Sequence, residues 1–159
     1  MKKTRVYIDG YNLYYGLLKG TPWKWLDLEL FSKGLLNPDH EIVSIDYFTA
    51  PVKTHPHDPA ALDRQKVYLQ VLSKNSPDTE SFVLITGDSD QVGAIESVRH
   101  QFKKSVIVFN PQPTISKQLD WAASYYKNIP QDLPARCQLP DEIPVGIHGN
   151  VIRRPAAWK

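Results

Sequence analysis

Cysteine is almost absent from this sequence, and long apolar runs are absent altogether. The one cysteine, Cys137, excludes a disulfide framework within the chain and a zinc site built from several cysteines. No window approaches the roughly 20 apolar residues that cross a bilayer, so we expect no membrane role. The N-terminal apolar stretch is cut short by Asp9, which is not the pattern of a signal peptide. We therefore expect a cytoplasmic protein in a reducing environment.

A strong charge imbalance is also lacking. Lys and Arg total 19 against 17 Asp and Glu, and the formal charge of +2 is too small to identify a nucleic-acid partner. Basic residues cluster near the beginning, in the late middle and at the end of the chain: Lys2, Lys3, Arg5, Lys103, Lys104, Arg153 and Arg154. They would share a face only if the fold brought them together, and a solvated surface is the simpler interpretation.

What the sequence does contain is a regular alternation of β-prone and helical segments. Short apolar runs predict strands at 5–8, 41–50, 82–85, 105–109 and 127–129. Helical spacing predicts helices at 13–18, before Gly34, at 58–72, from Val92 to Val98, and at 119–125. This order is typical of an α/β fold with a central, mostly parallel sheet flanked by helices. We expect one domain over 1–130, followed by a proline-rich tail over 131–159 that is packed on the domain or partly disordered.

Acidic side chains follow two of the predicted strands directly. Asp9 precedes Gly10 at the end of the first strand, and Asp88 and Asp90 follow Gly87 after the strand at 82–85. Ligands of an open parallel sheet bind at the carboxyl ends of its strands, so we expect these acids to converge. Carboxylates gathered at one edge repel unless a cation screens them, and such hard oxygen ligands suit Mg²⁺ or Mn²⁺.

Taken singly, each acid has a simpler explanation as a turn residue or a helix N-cap. Together they indicate a site for metal-assisted phosphate chemistry. Asn12 offers an amide that can orient a water or a phosphate oxygen, and the helix starts after Asn12 and Ser89 present N–H groups toward an anion.

At these residues the sequence resembles the NYN domain family, a branch of the PIN-like ribonucleases that includes the LabA-like proteins. The stretches 9–13 (DGYNL) and 85–90 (ITGDSD) are similar to its opening and later motifs, and the similarity extends through 64–69, 106–111 and 152–158. The resemblance implies a PIN-like, NYN three-layer fold and divalent-metal-dependent cleavage of RNA. We expect that RNA to be single-stranded. It also implies that Asp9, Asn12, Asp88 and Asp90 match the active-site positions.

The chain departs from the family pattern in one place. Members usually carry an extra strand and another acidic residue on a helix where this chain has only the stretch 73–81. Asp78 or Glu80 could substitute for that acid, although both are explained more simply as loop residues. The departure leaves open a second hypothesis, an RNA-binding or regulatory module that is catalytically weakened or inactive.

A haloacid-dehalogenase-type phosphatase is a third hypothesis, because 87–90 also resembles a metal motif of that superfamily. Those enzymes need a nucleophilic aspartate two residues before the aspartate-glycine pair, and Tyr7 occupies that place.

Several residues have both a functional and a structural interpretation. Arg64 and Lys66 could contact an RNA backbone from their helix, or form a solvated face. His55 and His57 could contact a metal but fit a surface loop better, since no further ligand completes a closed zinc site. The three tyrosines near the first motif could stack on unpaired bases. Packing is the simpler expectation for them and for the four tryptophans: Tyr11, Tyr14, Tyr15, Trp23, Trp25, Trp121 and Trp158. A reduced third strand would expose a sheet edge, so a homodimer is a further hypothesis.

Overall fold

A five-stranded parallel sheet forms the centre of the computed structural model, which describes residues 1–48, 79–145 and 150–158. Its strands are β1 (Lys2–Asp9), β2 (His40–Phe48), β3 (Ser81–Ile85), β4 (Ser105–Asn110) and β5 (Tyr125–Asn128). They lie in the order β2-β1-β3-β4-β5, and each neighbouring pair is parallel. The predicted α/β class, with a central parallel sheet flanked by helices, is confirmed.

The described helices alternate with these strands. They are α1 (Gly10–Leu13), α2 (Leu28–Leu35), α3 (Val92–His100), α4 (Lys117–Ala122) and α5 (Leu133–Arg136). α1 continues into a π-helical turn (Tyr14–Leu18), and a 3₁₀ turn (Ser89–Gln91) leads into α3. The helix expected at 58–72 lies outside the described residues. Within the described ranges, no helix has both the length and the apolar character needed to cross a membrane.

Short polar side chains cap the first turns of α2 and α4. Asp27 accepts the N–H groups of Glu29 and Leu30 at 3.0 and 2.9 Å, and Ser116 accepts that of Leu119 at 3.4 Å. Such N-caps satisfy donors that have no partner inside a helix, and each is worth about 1 kcal/mol.

Alternating side chains of the central strands supply two separate cores. Val6 and Ile8 of β1 point to one face of the sheet, where Leu17 and Phe31 cover them. Tyr7 points to the other face and packs in a cluster with residues of α3 and α4. Because successive strand residues face opposite sides, one apolar run contributes to both cores. The described part of the molecule is therefore built in three layers, helix on sheet on helix.

The expected helix at 119–125 is shorter than predicted. α4 ends at Ala122, and Ala123 is already extended, with φ −72° and ψ 157°. The next residue, Ser124, donates its N–H to the Val106 carbonyl at 2.8 Å and accepts the Val106 N–H on its hydroxyl at 3.1 Å. Tyr125 consequently begins β5 instead of completing the helix, because pairing with β4 outweighs the helical spacing.

Trp121 corrects a second expectation. Its side chain is 84% exposed, whereas Leu119 and Ala122 of the same helix are buried. Successive helical residues are 100° apart, so a helix this short buries one stripe and leaves Trp121 on the outside. By contrast, Trp23 packs against the first core, and the rings of Trp25 and Trp158 lie 6.0 Å apart.

The described part of the C-terminal segment lies against the loop before α2. It contains α5 and an antiparallel hairpin of β6 (Glu142–Val145) and β7 (Asn150–Arg153). Trp25 Nε1 donates to the Pro140 carbonyl at 2.9 Å, and Arg154 Nη2 donates to the Pro22 carbonyl at 2.6 Å. The domain boundary at residue 130 stays a prediction.

We predict that Gly10→Ala destabilises the fold by about 1–3 kcal/mol, because it overpacks the β1–β2 contact. A β-carbon at Gly10 would lie 2.5 Å from Tyr47 Cζ and 2.8 Å from the Phe48 carbonyl oxygen, and the backbone oxygen cannot swing away. Urea unfolding would measure the change as a lower midpoint at unchanged slope. Glu96→Ala, at an exposed position of α3, is the control and should stay within about 0.5 kcal/mol. A wild-type midpoint for Gly10→Ala would contradict this packing.

Candidate functional site

Asp9 ends β1 and is held in place by the first turn of α1. Its Oδ1 accepts the Asn12 N–H at 3.0 Å, and its Oδ2 accepts the Asn12 side-chain Nδ2 at 2.8 Å. Both oxygens are thus tied to one residue three positions on. The carboxylate is oriented before any ligand arrives, and the Asn12 amide is oriented with it.

Thr86 joins this turn to the turn after β3. Its side chain is fully buried, and its hydroxyl donates to Asp9 Oδ2 at 3.4 Å while accepting the Asp88 N–H at 3.1 Å. A hydroxyl has one donor and two acceptor positions, so a single group can serve both contacts. The two predicted acid-bearing turns are therefore neighbours, as expected for adjacent parallel strands.

Gly87 is where a third loop joins them. A β-carbon at this position would lie 2.5 Å from Gln112 Cγ, 2.7 Å from Asn110 Oδ1 and 3.4 Å from Asn12 Oδ1. The absence of a side chain thus lets the loop after β4 approach closely. The carboxyl ends of β1, β3 and β4 meet at this glycine.

Asn110 and Gln112 also lie at this point, although the sequence did not predict them as site residues. Asn110 is 1% exposed; its Nδ2 donates to the Thr114 carbonyl at 2.7 Å and to the Tyr126 hydroxyl at 2.8 Å. Its Oδ1 accepts the Gln112 N–H at 2.9 Å. The Asn110-Pro111 pair predicts only a strand end. An asparagine closing an apolar strand was the available signal for a residue that shapes the edge.

The other two predicted acids occupy the start of the 3₁₀ turn. Asp88 Oδ1 accepts the Asp90 N–H at 3.0 Å, which makes Asp88 an N-cap as well as a site candidate. Ser89 and Asp90 are exposed. Within the described part of the chain, the Asp90 carboxylate forms no hydrogen bond or ion pair, so its link to Asp9 is only through the Asp88 turn.

The charges and positions of the side chains around Asp9 determine which kind of metal site is possible here. Among residues 1–48, 79–145 and 150–158, no Lys or Arg pairs with Asp9, Asp88 or Asp90, and no group of three or more His, Cys, Asp or Glu side chains is placed to hold a metal. Mg²⁺ often binds through one or two carboxylates and several waters. The described residues fit such an open site and do not fit a cage of three acids.

The proposed substitutes and contacts outside this cluster have different outcomes. Glu80 lies at the amino end of β3, where its N–H donates to the Lys3 carbonyl at 3.0 Å. That is the opposite end of the strands from Asp9, so Glu80 does not substitute for the missing acid, in agreement with its simpler interpretation as a loop residue. Several other candidates lie outside the described residues: Arg64, Lys66, His55, His57 and Asp78.

Part of the basic set does share a surface, but at the amino edge of the sheet. A groove of about 710 Å³ is lined in part by Lys2, Lys103, Lys104 and Lys127, with Glu80 among them. Arg153 and Arg154 instead lie beside Glu142 and Asp141, with N–O distances of 2.9 and 3.5 Å. The basic residues therefore do not form one continuous face around Asp9.

Two titrating groups report on their surroundings. Burial, followed by the negative charge of Asp9, raises the pKa of Tyr47 above its ordinary value. Burial also raises the pKa of the Cys137 thiol, which disfavours the nucleophilic thiolate. The field of Asp9 thus reaches the end of β2, while Cys137 behaves as a core residue.

Comparison with known proteins shows the fold and no family. No family model matches the chain. A stretch covering 31% of the chain is 49% identical to the 6-hydroxy-3-succinoylpyridine 3-monooxygenase HspA of Pseudomonas putida, and the chain spans only 21% of that protein. A crystal structure of a protein of unknown function from Vibrio parahaemolyticus matches with a TM-score of 0.60 and 17% identity, over 82% of this chain and 94% of that one. This likeness supports a Rossmann-like α/β fold.

We predict that Asp9→Asn lowers the pKa of Tyr47 while leaving it above the ordinary value. Removing the negative charge makes the phenolate less unfavourable, whereas burial, the larger cause, remains. Titration of ring-labelled tyrosine by NMR, with Tyr47→Phe to identify the resonance, would measure the shift. Asp88→Asn is the matched control and should leave the Tyr47 titration unchanged. An identical titration in Asp9→Asn and the wild type would contradict the proximity of the two groups.

Proposed function

We propose that the chain is a divalent-metal-dependent RNA endonuclease of the NYN, PIN-like type that acts in the cytoplasm. One observation carries the proposal: the Asp9 carboxylate is oriented by Asn12 and joined through Thr86 to the turn of Asp88. Within the described residues no basic side chain neutralises this edge. A negative, unpaired edge favours recruitment of a cation over direct binding of a phosphate.

In this proposal each residue of the cluster has a role. Asp9 and Asp88 would hold Mg²⁺ or Mn²⁺ together with water, and Asp90 would contribute through water. When bound, such an ion stabilises charge on a phosphoryl oxygen and lowers the pKa of a bound water.

Asn12 would position the attacking water. Its Nδ2 donates to Asp9, which leaves Oδ1, on the side of Gly87, free to accept a hydrogen bond from that water. The Ser89 hydroxyl is exposed at the start of the turn into α3, where it could donate to a phosphate oxygen. Both roles need only groups that already lie at this edge.

The resemblance to the NYN family supports the same conclusion. Its two motifs, 9–13 and 85–90, fall at the carboxyl ends of paired strands β1 and β3. The structure gives a further argument against the phosphatase hypothesis. Tyr7, at the position of the required nucleophile, is 1% exposed and lies in the core between the sheet and the helices α3 and α4. The monooxygenase match carries no activity to this chain, which spans about a fifth of that protein.

The alternative is an NYN-type RNA-binding or regulatory module without turnover. The lack of a three-acid group among the described residues favours it. It predicts RNA affinity that is insensitive to Mn²⁺, whereas the endonuclease hypothesis predicts cleavage that EDTA abolishes. A phosphatase would instead hydrolyse a small phosphomonoester.

We predict that Asp9→Asn lowers the rate of Mn²⁺-dependent cleavage of labelled single-stranded RNA by about a hundredfold or more. The reason is that the site loses the charge that attracts the cation. The fold should persist, since asparagine still offers the oxygen that caps Asn12 and is as good an N-cap as aspartate. Gel analysis of cleavage and urea unfolding would measure the two effects.

Asp27→Asn is the matched control for this experiment. It makes the same chemical change at another N-cap, whose partners Glu29 and Leu30 are not site residues. It should cleave like the wild type. Undiminished cleavage by a clean preparation of Asp9→Asn would exclude this mechanism, and no metal-dependent cleavage by the wild type would favour the binding module.

A further inference from the structure

Three tyrosines next to the candidate site are exposed, which contradicts the expectation that they pack in the core. Tyr11, Tyr14 and Tyr15 are 63, 37 and 48% exposed. They flank Asn12, the residue that orients the Asp9 carboxylate. Scattered exposed aromatics are ordinary on a protein surface, whereas a contiguous cluster beside a site usually has a binding partner.

The three rings contact one another. The ring centroids of Tyr11 and Tyr15 lie 4.5 Å apart at an interplanar angle of 36°, and Tyr14 meets the edge of Tyr15 at 5.1 Å and 86°. These mutual contacts fix the rings, so a ligand binding to them would lose less rotamer entropy in the protein. The cluster is already arranged as a surface.

A positive charge completes this surface. Lys19 Nζ lies 4.7 Å from the centroid of the Tyr15 ring, within the range of a cation–π contact. The same small area thus offers flat aromatic faces, phenolic hydroxyls and one cation. That combination matches an unpaired nucleobase with its phosphate, because a base stacks on an aromatic ring and the phosphate is attracted to the cation.

The backbone keeps the surface pointing outward. The Lys19 N–H donates to the Tyr14 carbonyl at 2.7 Å, an i to i+5 bond that makes 14–18 a π-helical turn. Leu17 and Leu18 are buried in the first core while Tyr15 stays outside. π-Helical turns are rare and frequently occur at functional sites.

We propose that Tyr11, Tyr15 and Lys19 form a stacking platform for an unpaired base of the RNA strand whose phosphate lies at Asp9. The inference rests on the proposed function for the identity of the strand. It adds a reason for single-strand specificity, because a base held in a duplex is stacked on its neighbours and cannot lie on the tyrosines. The platform would hold the nucleotide next to the cleaved one.

The test is RNA binding in EDTA, which keeps it separate from cleavage. Fluorescence anisotropy with a labelled single-stranded oligonucleotide should show Tyr15→Ala binding roughly five- to a hundredfold more weakly, the range expected for one stacked base. Tyr15→Phe keeps the ring and should bind like the wild type. Tyr125→Ala is the matched control: Tyr125 is 52% exposed and also contacts an aromatic ring, that of Phe109, but lies at the start of β5.

A series of oligonucleotides with one abasic position each would locate the base. Loss of the base at one position should weaken binding to the wild type. Loss of the same base should weaken binding to Tyr15→Ala little further, because removing the base and removing the ring abolish the same contact. Equal binding by Tyr15→Ala and the wild type would overturn the proposal. So would a wild type that binds duplex and single-stranded RNA equally well.

The outcomes separate this inference from the proposed function. RNA binding that depends on Tyr15, with no cleavage in Mn²⁺, would sustain the platform and refute the endonuclease. Cleavage in Mn²⁺ that Tyr15→Ala leaves unchanged would sustain the endonuclease and refute the platform. If light scattering instead showed a dimer that Tyr15→Ala converts to a monomer, with RNA binding unchanged, the tyrosines would be a self-association surface and the platform would be wrong.

Discussion

The pairing of β1 with β3 is the contact on which the candidate site depends. Ile8 lies opposite Ile85, so the residues that follow them, Asp9 and Thr86, lie side by side. The register is held at both ends: the Glu80 N–H bonds to the Lys3 carbonyl at the amino edge, and the Thr86 hydroxyl reaches Asp9 at the carboxyl edge. A shift of this register would separate the two turns even if both strands stayed buried.

The same carboxylates that cap helical turns at this end of the sheet are the candidate metal ligands. Asp9 gives both oxygens to Asn12, and Asp88 gives one oxygen to the Asp90 N–H. A carboxylate has about four acceptor positions, so a cap orients the group without exhausting it. The structural and functional interpretations that the sequence left open are therefore compatible. The caps fix the orientation of the Asp9 and Asp88 carboxylates, and the Thr86 hydroxyl joins the two turns.

The sequence predicts the strands and the positions of the residues at their ends better than it predicts the surface. Continuous apolar runs identify β3 and β4, because a central parallel strand is buried on both faces. The start of β5 at Tyr125 was not predictable from spacing, since it depends on hydrogen bonds between Ser124 and Val106, which are 18 residues apart in the chain. The part played by Asn110 was hidden for the same reason, as its partners come from the following loop and from Tyr126.

The exposed tyrosines show how a local change in helix geometry decides which side chains reach the surface. In an α-helix, residues three and four apart share a face, so Tyr14 would lie with Leu17 and Leu18 and be buried with them. The i to i+5 bond from Lys19 to Tyr14 widens the turn and breaks that relation. The leucines keep their place in the core, while the rings of 11, 14 and 15 gather outside, next to Asn12. The helical spacing assigns Tyr14 to the core, whereas in the structure its side chain is 37% exposed and its ring meets the edge of the Tyr15 ring.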